Sequence, residues 1–328
     1  PDQAIYGFRG ADAACFARFG RDFPGAPTLR LTRNYRSAGT IVTAASGFIG
    51  ASAGIMRPAG SPIVTHAAAN EAAEADFIAG AIEDLLGGHD LLAANRGGGR
   101  AAGRPLGFGD CAVLYRTDAQ AAALRAAFDR TGIPYMKSSP APLAGHSGVS
   151  AILDALAVEE QAAESARRAE KADAAALAEA RGWLATLAAS DAVAGDAGRL
   201  AEAAALSTEA DFRDARADRV SLMTMHAAKG LEFAIVFVVG MEAGLVPFSW
   251  DASAPQDAAA LAEERRLFYV AMTRAKDRLV LSRAAERFQR GAVRPAAASP
   301  FLSEIAAELT TSEAGLRRRR PAQQLSLL

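Results

Sequence analysis

Residues 220–239 read VSLMTMHAAKGLEFAIVFVV, two apolar runs separated by a polar, glycine-containing turn. The second run, 234–239, is continuously apolar, which is typical of a parallel strand that is buried on both faces of a sheet. Similar runs alternate with helical stretches along the chain. The predicted strands are 28–31, 62–65, 110–115, 220–225, 234–239 and 278–282, and the predicted helices are 37–50, 71–86, 118–131 and 256–274. This alternation indicates βαβ units in an α/β fold with a doubly wound, mostly parallel sheet that is flanked by helices.

The middle of the chain differs in composition from both ends. After Lys137, a Ser/Pro/Gly-rich stretch leads into Ala-, Glu- and Arg-rich sequence that extends to Leu206 with few β-branched residues. Alanine is the strongest helix former, so a helical insertion into the α/β domain is predicted. The α/β domain then occupies 1–137 and 219–285, the insertion 138–218, and a C-terminal tail 286–328. The tail is expected to be irregular after Arg283, and the glycine-rich segment 87–109 to be a flexible excursion.

The composition excludes several classes of protein. The 328 residues include 36 Lys and Arg against 37 Asp and Glu, so no overall basic field attracts nucleic acid. Two distant cysteines cannot build a disulfide framework or a multi-cysteine zinc module. No apolar stretch approaches the roughly 20 residues of a membrane span, and no export signal is visible. A cytoplasmic protein with no membrane partner is expected. The opening PDQAIYGFRG, which starts at Pro1, indicates a fragment of a longer protein.

Polar side chains follow several predicted strands, where doubly wound sheets hold their ligands. They lie in TRNYRS (32–37), YRTD (115–118) and TMHAAKGLEF (224–233), and the last helix carries EERRLFYVAMTRAK (263–276). In that helix, Arg274 follows Leu267 and Val270 at helical spacing, which places a guanidinium on an apolar stripe. Because an unpaired buried charge is costly, Arg274 needs an anion, either a buried carboxylate or a phosphate.

Two pairings of an aromatic with an arginine are open to two interpretations each. Tyr35 and Arg36 suit a nucleotide, with the ring on the base and the guanidinium on a phosphate, but they also fit a surface tyrosine beside a salt bridge. Tyr6 and Phe8, followed by Arg9, suit stacked bases of single-stranded nucleic acid, but they also fit a pair of core aromatics.

Five segments together resemble a known family. DQAIYGFRGA, LTRNYRS, AVLYRTDAQ, VSLMTMHAAKGLEF and EERRLFYVAMTRAKDRL resemble, in order, motifs III, IV, IVa, V and VI of the superfamily 1A DNA helicases, the UvrD/PcrA/Rep group. The resemblance implies the second RecA-like motor domain (2A) of such a helicase. The 2B domain that the family inserts before motif V is here reduced to the Ala-rich helical insertion.

The resemblance also implies roles for individual residues. Arg36 and Arg274 would be arginine fingers on the γ-phosphate of ATP, with Gln3 sensing the same phosphate. Tyr35 would stack on adenine, Glu232 would accept a hydrogen bond from the ribose, and Gly230 would shape the motif V turn beside the nucleotide. The residues implied to contact single-stranded DNA are Tyr6, Phe8, Arg9, Thr224 and His226. Asp118 stands where Asn is common in the family and is expected to cap the following helix instead.

The implied activity is that of an ATP-dependent 3′-to-5′ DNA helicase of bacterial DNA repair, acting on single-stranded DNA and single-strand/double-strand junctions. The sequence contains no G-x-x-x-x-G-K-[ST] motif, so Mg²⁺ and the ATP phosphates would be held by a missing N-terminal half, and this fragment alone is expected to be inactive. The alternative is a non-catalytic DNA- or protein-binding module. At the C-terminus, QLSLL resembles a sliding-clamp-binding peptide, with Gln324, Leu325, Leu327 and Leu328 as the contacts.

Overall fold

The computed structural model describes residues 15–27, 31–87, 104–138, 143–156, 174–190, 196–208, 217–249, 257–289 and 291–312, together with 3, 5, 29, 100, 101, 193 and 212. The chain forms two compact units. The first comprises Pro1–Lys137 and Arg216–Leu328, and the second comprises Ser138–Ala215. No helix in the described ranges is long and apolar enough to cross a membrane.

An eight-stranded sheet organises the first unit, in the order β12-β3-β10-β9-β6-β8-β7, with β11 paired to β10. The strands in the described ranges are β1 Arg33–Asn34, β2 Gly54–Ile55, β3 Ile63–Asn70, β4 Arg100–Ala101, β5 Arg104–Pro105, β6 Cys111–Tyr115, β7 Tyr135–Ser138, β8 Val220–Thr224, β9 Phe233–Val238, β10 Ala275–Gln289, β11 Ala292–Pro295 and β12 Thr310–Ser312. Of these, β1 pairs with β2 and β4 pairs with β5 in two small sheets of their own. The central pairs β3–β10, β10–β9, β9–β6 and β6–β8 are all parallel. The strand β11 is antiparallel to β10.

Helices cover both faces of this sheet. They are α1 Cys15–Asp22, α2 Gly39–Ile49, α3 Glu71–Leu86, α4 Ala121–Thr131, α8 Ala258–Met272 and α9 Pro300–Ser303. Alternate strand residues enter two separate cores: Leu114 and Val238 pack with α2 and α8, whereas Val113 and Phe237 pack with α3 and α4. Burial on both faces explains the continuously apolar strands. The predicted α/β fold with a mostly parallel sheet flanked by helices is confirmed.

The second unit is helical. Its helices are α5 Ser147–Leu156, α6 Ala174–Ala188 and α7 Ala197–Leu206. They enclose a small core of their own that includes Val149, Leu184 and Leu200. The helical insertion that the alanine content predicted is thus confirmed. Helices form there because alanine is abundant and few β-branched side chains oppose helix formation.

Two predictions about secondary structure were wrong. The described residues of the 28–31 segment form no strand, and the side chains of Leu29 and Leu31 are 91% and 102% exposed. The sheet edges are taken by β7 and β12, so this segment has no strand partner in the described part of the chain. The region after Arg283 is not irregular either. The strand β10 continues to Gln289, β11 folds back on it, and β12 adds a parallel strand beside β3.

Candidate functional site

Four charged side chains from three separate segments meet at one edge of the sheet. Arg36 precedes α2, Glu232 directly precedes β9, and Arg274 and Lys276 flank the first residue of β10. One oxygen of the Glu232 carboxylate lies 2.7 Å from Arg36 Nε, and the other lies 2.6 Å from Lys276 Nζ. We call Arg36, Glu232, Arg274 and Lys276 the arginine site. Three cations face one carboxylate there, which leaves an excess of positive charge that suits an anionic ligand.

Arg274 is buried without a carboxylate partner of its own. Its side chain donates to the carbonyl oxygens of Val270 (3.0 Å) and Leu231 (3.0 Å) and to the hydroxyl of Thr273 (3.1 Å). The residue is only 2% exposed, and none of the ion pairs in the described ranges includes it. Burial lowers the pKa of Arg274, the charge of Arg36 lowers it further, and the nearby charge of Glu232 opposes the change. Neutral acceptors hold the guanidinium in place but do not neutralise it.

Backbone contacts bring the three segments together. Ser37 Oγ donates to the carbonyl of Ala275 at 2.6 Å, and the Ala38 amide donates to the carbonyl of Lys276 at 2.7 Å. The Phe233 amide donates to the carbonyl of Arg274 at 3.0 Å. On the Arg36 side, the Asn34 side chain accepts from the amides of Arg36 and Ser37, which forms a local turn that aims the segment. The convergence is therefore built into the main chain.

The arginine site lies at the amino ends of parallel strands. Glu232 comes just before β9 and Arg274 just before β10, and those two strands run parallel. The expectation that all the polar segments gather beyond the carboxyl ends of the strands was therefore wrong for these residues. These residues lie at the ends of the connections that lead back to the start of a strand, namely the motif V turn before β9 and helix α8 before β10. The rule that ligands bind beyond the carboxyl ends of strands applies to the segments that follow strands and not to these connections.

The opposite, carboxyl edge carries the other motif V residues. Thr224 ends β8, and its hydroxyl accepts from the Ala227 amide at 3.2 Å, while His226 is half-buried in the following turn. Gly230 has φ +90°, a left-handed conformation that a side chain would disfavour, and it redirects the chain toward Glu232. The structure thus places Thr224 and His226 at one edge and the arginine site at the other.

The sequence of this chain matches the model of a known protein family. The model of the UvrD-like helicase C-terminal domain matches residues 29–156 and 188–286, which is more than half of the chain. This chain belongs to that family.

Several relatives of this UvrD-like domain are DNA helicases by name. The ATP-dependent DNA helicase UvrD1 of Mycobacterium tuberculosis is 30% identical, with 94% of this chain and 52% of the relative covered. DNA helicase II of Escherichia coli is 27% identical, with 87% and 51% covered. A solved C-terminal domain of a possible DNA helicase from Lactobacillus plantarum aligns over 85% of this chain and 99% of its own, at 14% identity with a TM-score of 0.40. The chain spans about half the length of the relatives it matches by sequence.

The remaining predicted site residues of this UvrD-like domain are only partly described. Gln3 is exposed, and the Tyr35 side chain is 64% exposed beside Arg36, where a planar group can reach it. The residues implied to contact DNA near the N-terminus (Tyr6, Phe8 and Arg9) and the clamp-binding residues (Gln324, Leu325, Leu327 and Leu328) lie outside the described residues.

One prediction about the UvrD-like motif IVa segment was wrong. The structure shows no helix cap from the Asp118 side chain, which instead pairs with Lys137 Nζ at 2.6 Å and accepts from the Tyr115 hydroxyl at 3.3 Å. The ammonium group of Lys137, which lies in β7, is a stronger partner for a carboxylate than a neutral amide.

Sequence reasoning also missed two contacts. Arg116 forms a two-pronged ion pair with Glu264 in α8, which ties motif IVa to motif VI. The second is the contact between Lys276 and Glu232. Lys276 follows Arg274 by two residues, and this proximity is the only sequence signal that could have marked Lys276 as a site residue.

Proposed function

We propose that this chain supplies the second motor domain of an ATP-dependent 3′-to-5′ DNA helicase or translocase, with ATP bound between this domain and a preceding one. The observation that carries the proposal is the convergence of Arg36 and Arg274, 238 positions apart in sequence, on one edge with excess positive charge. Membership of the UvrD-like family and relatives that are DNA helicases by name support it.

The arginine site suits the terminal phosphate of ATP. Negative charge on the phosphoryl oxygens is stabilised in the transition state by preorganised cations. Arg274 is held by three neutral acceptors, so no ion pair in the described ranges cancels its charge before an anion arrives. Arg36 stands at the surface and can exchange its contact with Glu232 for a phosphate. Gln3 is proposed to sense the same phosphate, and Mg²⁺, whose ligands are expected in the preceding half, would neutralise phosphate charge.

Tyr35 and Glu232 suit the nucleoside part of the nucleotide. The exposed ring of Tyr35 offers a face on which adenine can stack. The Glu232 carboxylate is held by two cations, and the Lys276 contact, more than any other, keeps the pKa of Glu232 below its usual value. An ionised carboxylate has acceptor sites left for a ribose hydroxyl. Gly230 supports this contact because it sets the turn that leads to Glu232.

Single-stranded DNA is proposed to bind at the carboxyl edge, at Thr224 and His226, together with Tyr6, Phe8 and Arg9. Hydroxyl and arginine groups suit DNA phosphates, and aromatic rings suit stacked bases. Nucleotide and DNA would then contact opposite edges of one rigid sheet. Closing of the ATP cleft would move the DNA contacts of this domain relative to those of the preceding one, as a two-state change driven by ATP.

The test is Arg274→Ala in the intact protein that contains this chain. We expect its DNA-stimulated ATPase rate to fall by about 10³-fold or more, as for loss of an arginine finger, with little change in affinity for single-stranded DNA. The unchanged protein should unwind duplexes that carry a 3′ single-stranded tail. Arg130→Ala is the matched control, because Arg130 forms an exposed ion pair with Asp76 elsewhere in the same unit.

Near-normal turnover of the Arg274→Ala protein would refute the arginine-finger role. Absence of any DNA-stimulated ATPase activity in the unchanged intact protein would favour the non-catalytic binding module instead.

A further inference from the structure

We propose that Arg57 is a positioning residue that holds the two arginine-finger segments in register with each other. The inference rests on the proposed function, because it assigns Arg57 a role in the same ATP site. Arg57 lies outside every segment that resembles a helicase motif, in the connection between β2 and β3.

The Arg57 guanidinium bridges both finger segments directly. Its Nη1 donates to the carbonyl oxygen of Arg36 at 2.5 Å and to that of Lys276 at 3.0 Å. Its Nη2 donates to the Asp277 carboxylate at 2.6 Å. One side chain therefore fixes the backbone of the first finger itself and the backbone two residues after the second finger, Arg274.

The geometry requires an arginine. Two nitrogens of a planar fork serve three acceptors that lie on two segments, and the Asp277 contact fixes the orientation of the fork. A lysine ammonium is a single point donor on a flexible stem, so it can keep one or two of these contacts but not the arrangement of all three.

The backbone that carries Arg57 is itself anchored to the start of α2. The amides of Gly39 and Thr40 donate to the carbonyls of Pro58 and Ala59, both at 2.8 Å. Gly60 has φ +81°, and a Cβ at this position would lie 2.6 Å from the Ala38 side chain, so only glycine permits this approach. These contacts hold the backbone next to Arg57 in a fixed position relative to the start of α2.

The arrangement predicts an effect on catalysis that exceeds the effect on stability. The Arg57–Asp277 pair is about one-third exposed, and pairs of that exposure contribute little to folding. Misplacement of a catalytic group by about 1 Å can nevertheless cost up to about 100-fold in rate. Since fingers act on the transition state, kcat should fall while the KM for ATP changes little.

The experiment measures ATPase kinetics and thermal unfolding of the intact protein with Arg57→Ala, Arg57→Lys and the control Arg130→Ala. We expect kcat of Arg57→Ala to fall by about ten-fold or more, with KM and Tm close to those of the unchanged protein. Arg57→Lys should recover part of the loss, and Arg130→Ala should behave as the unchanged protein.

A double-mutant comparison separates positioning from a general structural role. If Arg57 acts through the fingers, Arg57→Ala should cause no further loss of kcat in a protein that already carries Arg36→Ala and Arg274→Ala. Unchanged kcat in Arg57→Ala, or losses that add to those of the finger variants, would overturn the proposal. Failure of the proposed function has a different signature, because Arg274→Ala alone would then retain normal turnover whatever Arg57 does.

Discussion

At the scale of one residue, Arg274 is a buried guanidinium whose hydrogen-bond acceptors are all neutral. A guanidinium on an apolar helical stripe indicated that an anion was needed, and the structure supplies three neutral acceptors instead of a carboxylate. Helical spacing could identify the buried arginine, but not the acceptors, because the Leu231 carbonyl comes from a turn 43 positions away in sequence. Such contacts depend on how the segments pack, which no local pattern encodes.

Cys111 gives a prediction at the same scale. Burial raises the pKa of this thiol to about 12, and the charges of Asp110 and Asp218 contribute to the rise. Because the thiolate is the reactive form, Cys111 should resist alkylation at pH 8, whereas the exposed Cys15 should react. Mass spectrometry of the cysteine peptides after iodoacetamide treatment measures both, and treatment in urea is the control in which both should react. Equal labelling of Cys111 and Cys15 in the native protein would contradict the prediction.

Elements with strong local signals were predictable from sequence. The helix α3 begins and ends at its predicted residues because the Asn70 side chain caps its first turn and Gly87 ends it in a left-handed conformation. The strand β10 was predicted far too short. Its second half, RAAERFQ, has neither a continuous apolar run nor a regular alternation, and it is held by a buried ion cluster of Glu74, Glu242 and Arg287, which come from three separate segments and share no local pattern.

This cluster gives a prediction at the scale of elements. Arg287 Nη2 lies 2.5 Å from a Glu74 oxygen and 2.6 Å from a Glu242 oxygen, and all three residues are at most 6% exposed. Burial alone would lower the pKa of Arg287, but its bonds to Glu242 and the charge of Glu74 raise it. Arg287→Ala would leave two buried carboxylates without their cation.

The free energy of unfolding should then fall by about 3–5 kcal/mol, which urea denaturation measures. The exposed Arg130–Asp76 pair offers the comparison, since Arg130→Ala should cost less than about 1 kcal/mol. A loss that small in Arg287→Ala would show that the cluster is not what secures the extended part of β10.

At the scale of the whole molecule, the sequence could identify the fold and the family motifs but not the arrangement of the motifs on the sheet. The apolar runs 112–115 and 234–239 indicate buried parallel strands wherever they lie in the strand order. The position of Glu232 and Arg274 at the amino edge depends on that order and on the return path of α8, both of which are set by long-range pairing. The separation of the arginine site at the amino edge from Thr224 and His226 at the carboxyl edge is therefore a property of the complete fold.

The central claim is that Arg36 and Arg274 converge on the terminal phosphate of a nucleotide. The most direct measurement is the affinity of the intact protein for ADP alone and for ADP with aluminium fluoride, which mimics the phosphoryl group in its transition state. Arg36→Ala and Arg274→Ala should each weaken binding of the ADP–aluminium fluoride complex by about ten-fold or more, since each removes a charge-assisted contact, and should leave ADP affinity nearly unchanged. Equal weakening of both ligands, or unchanged binding of the fluoride complex, would contradict the claim.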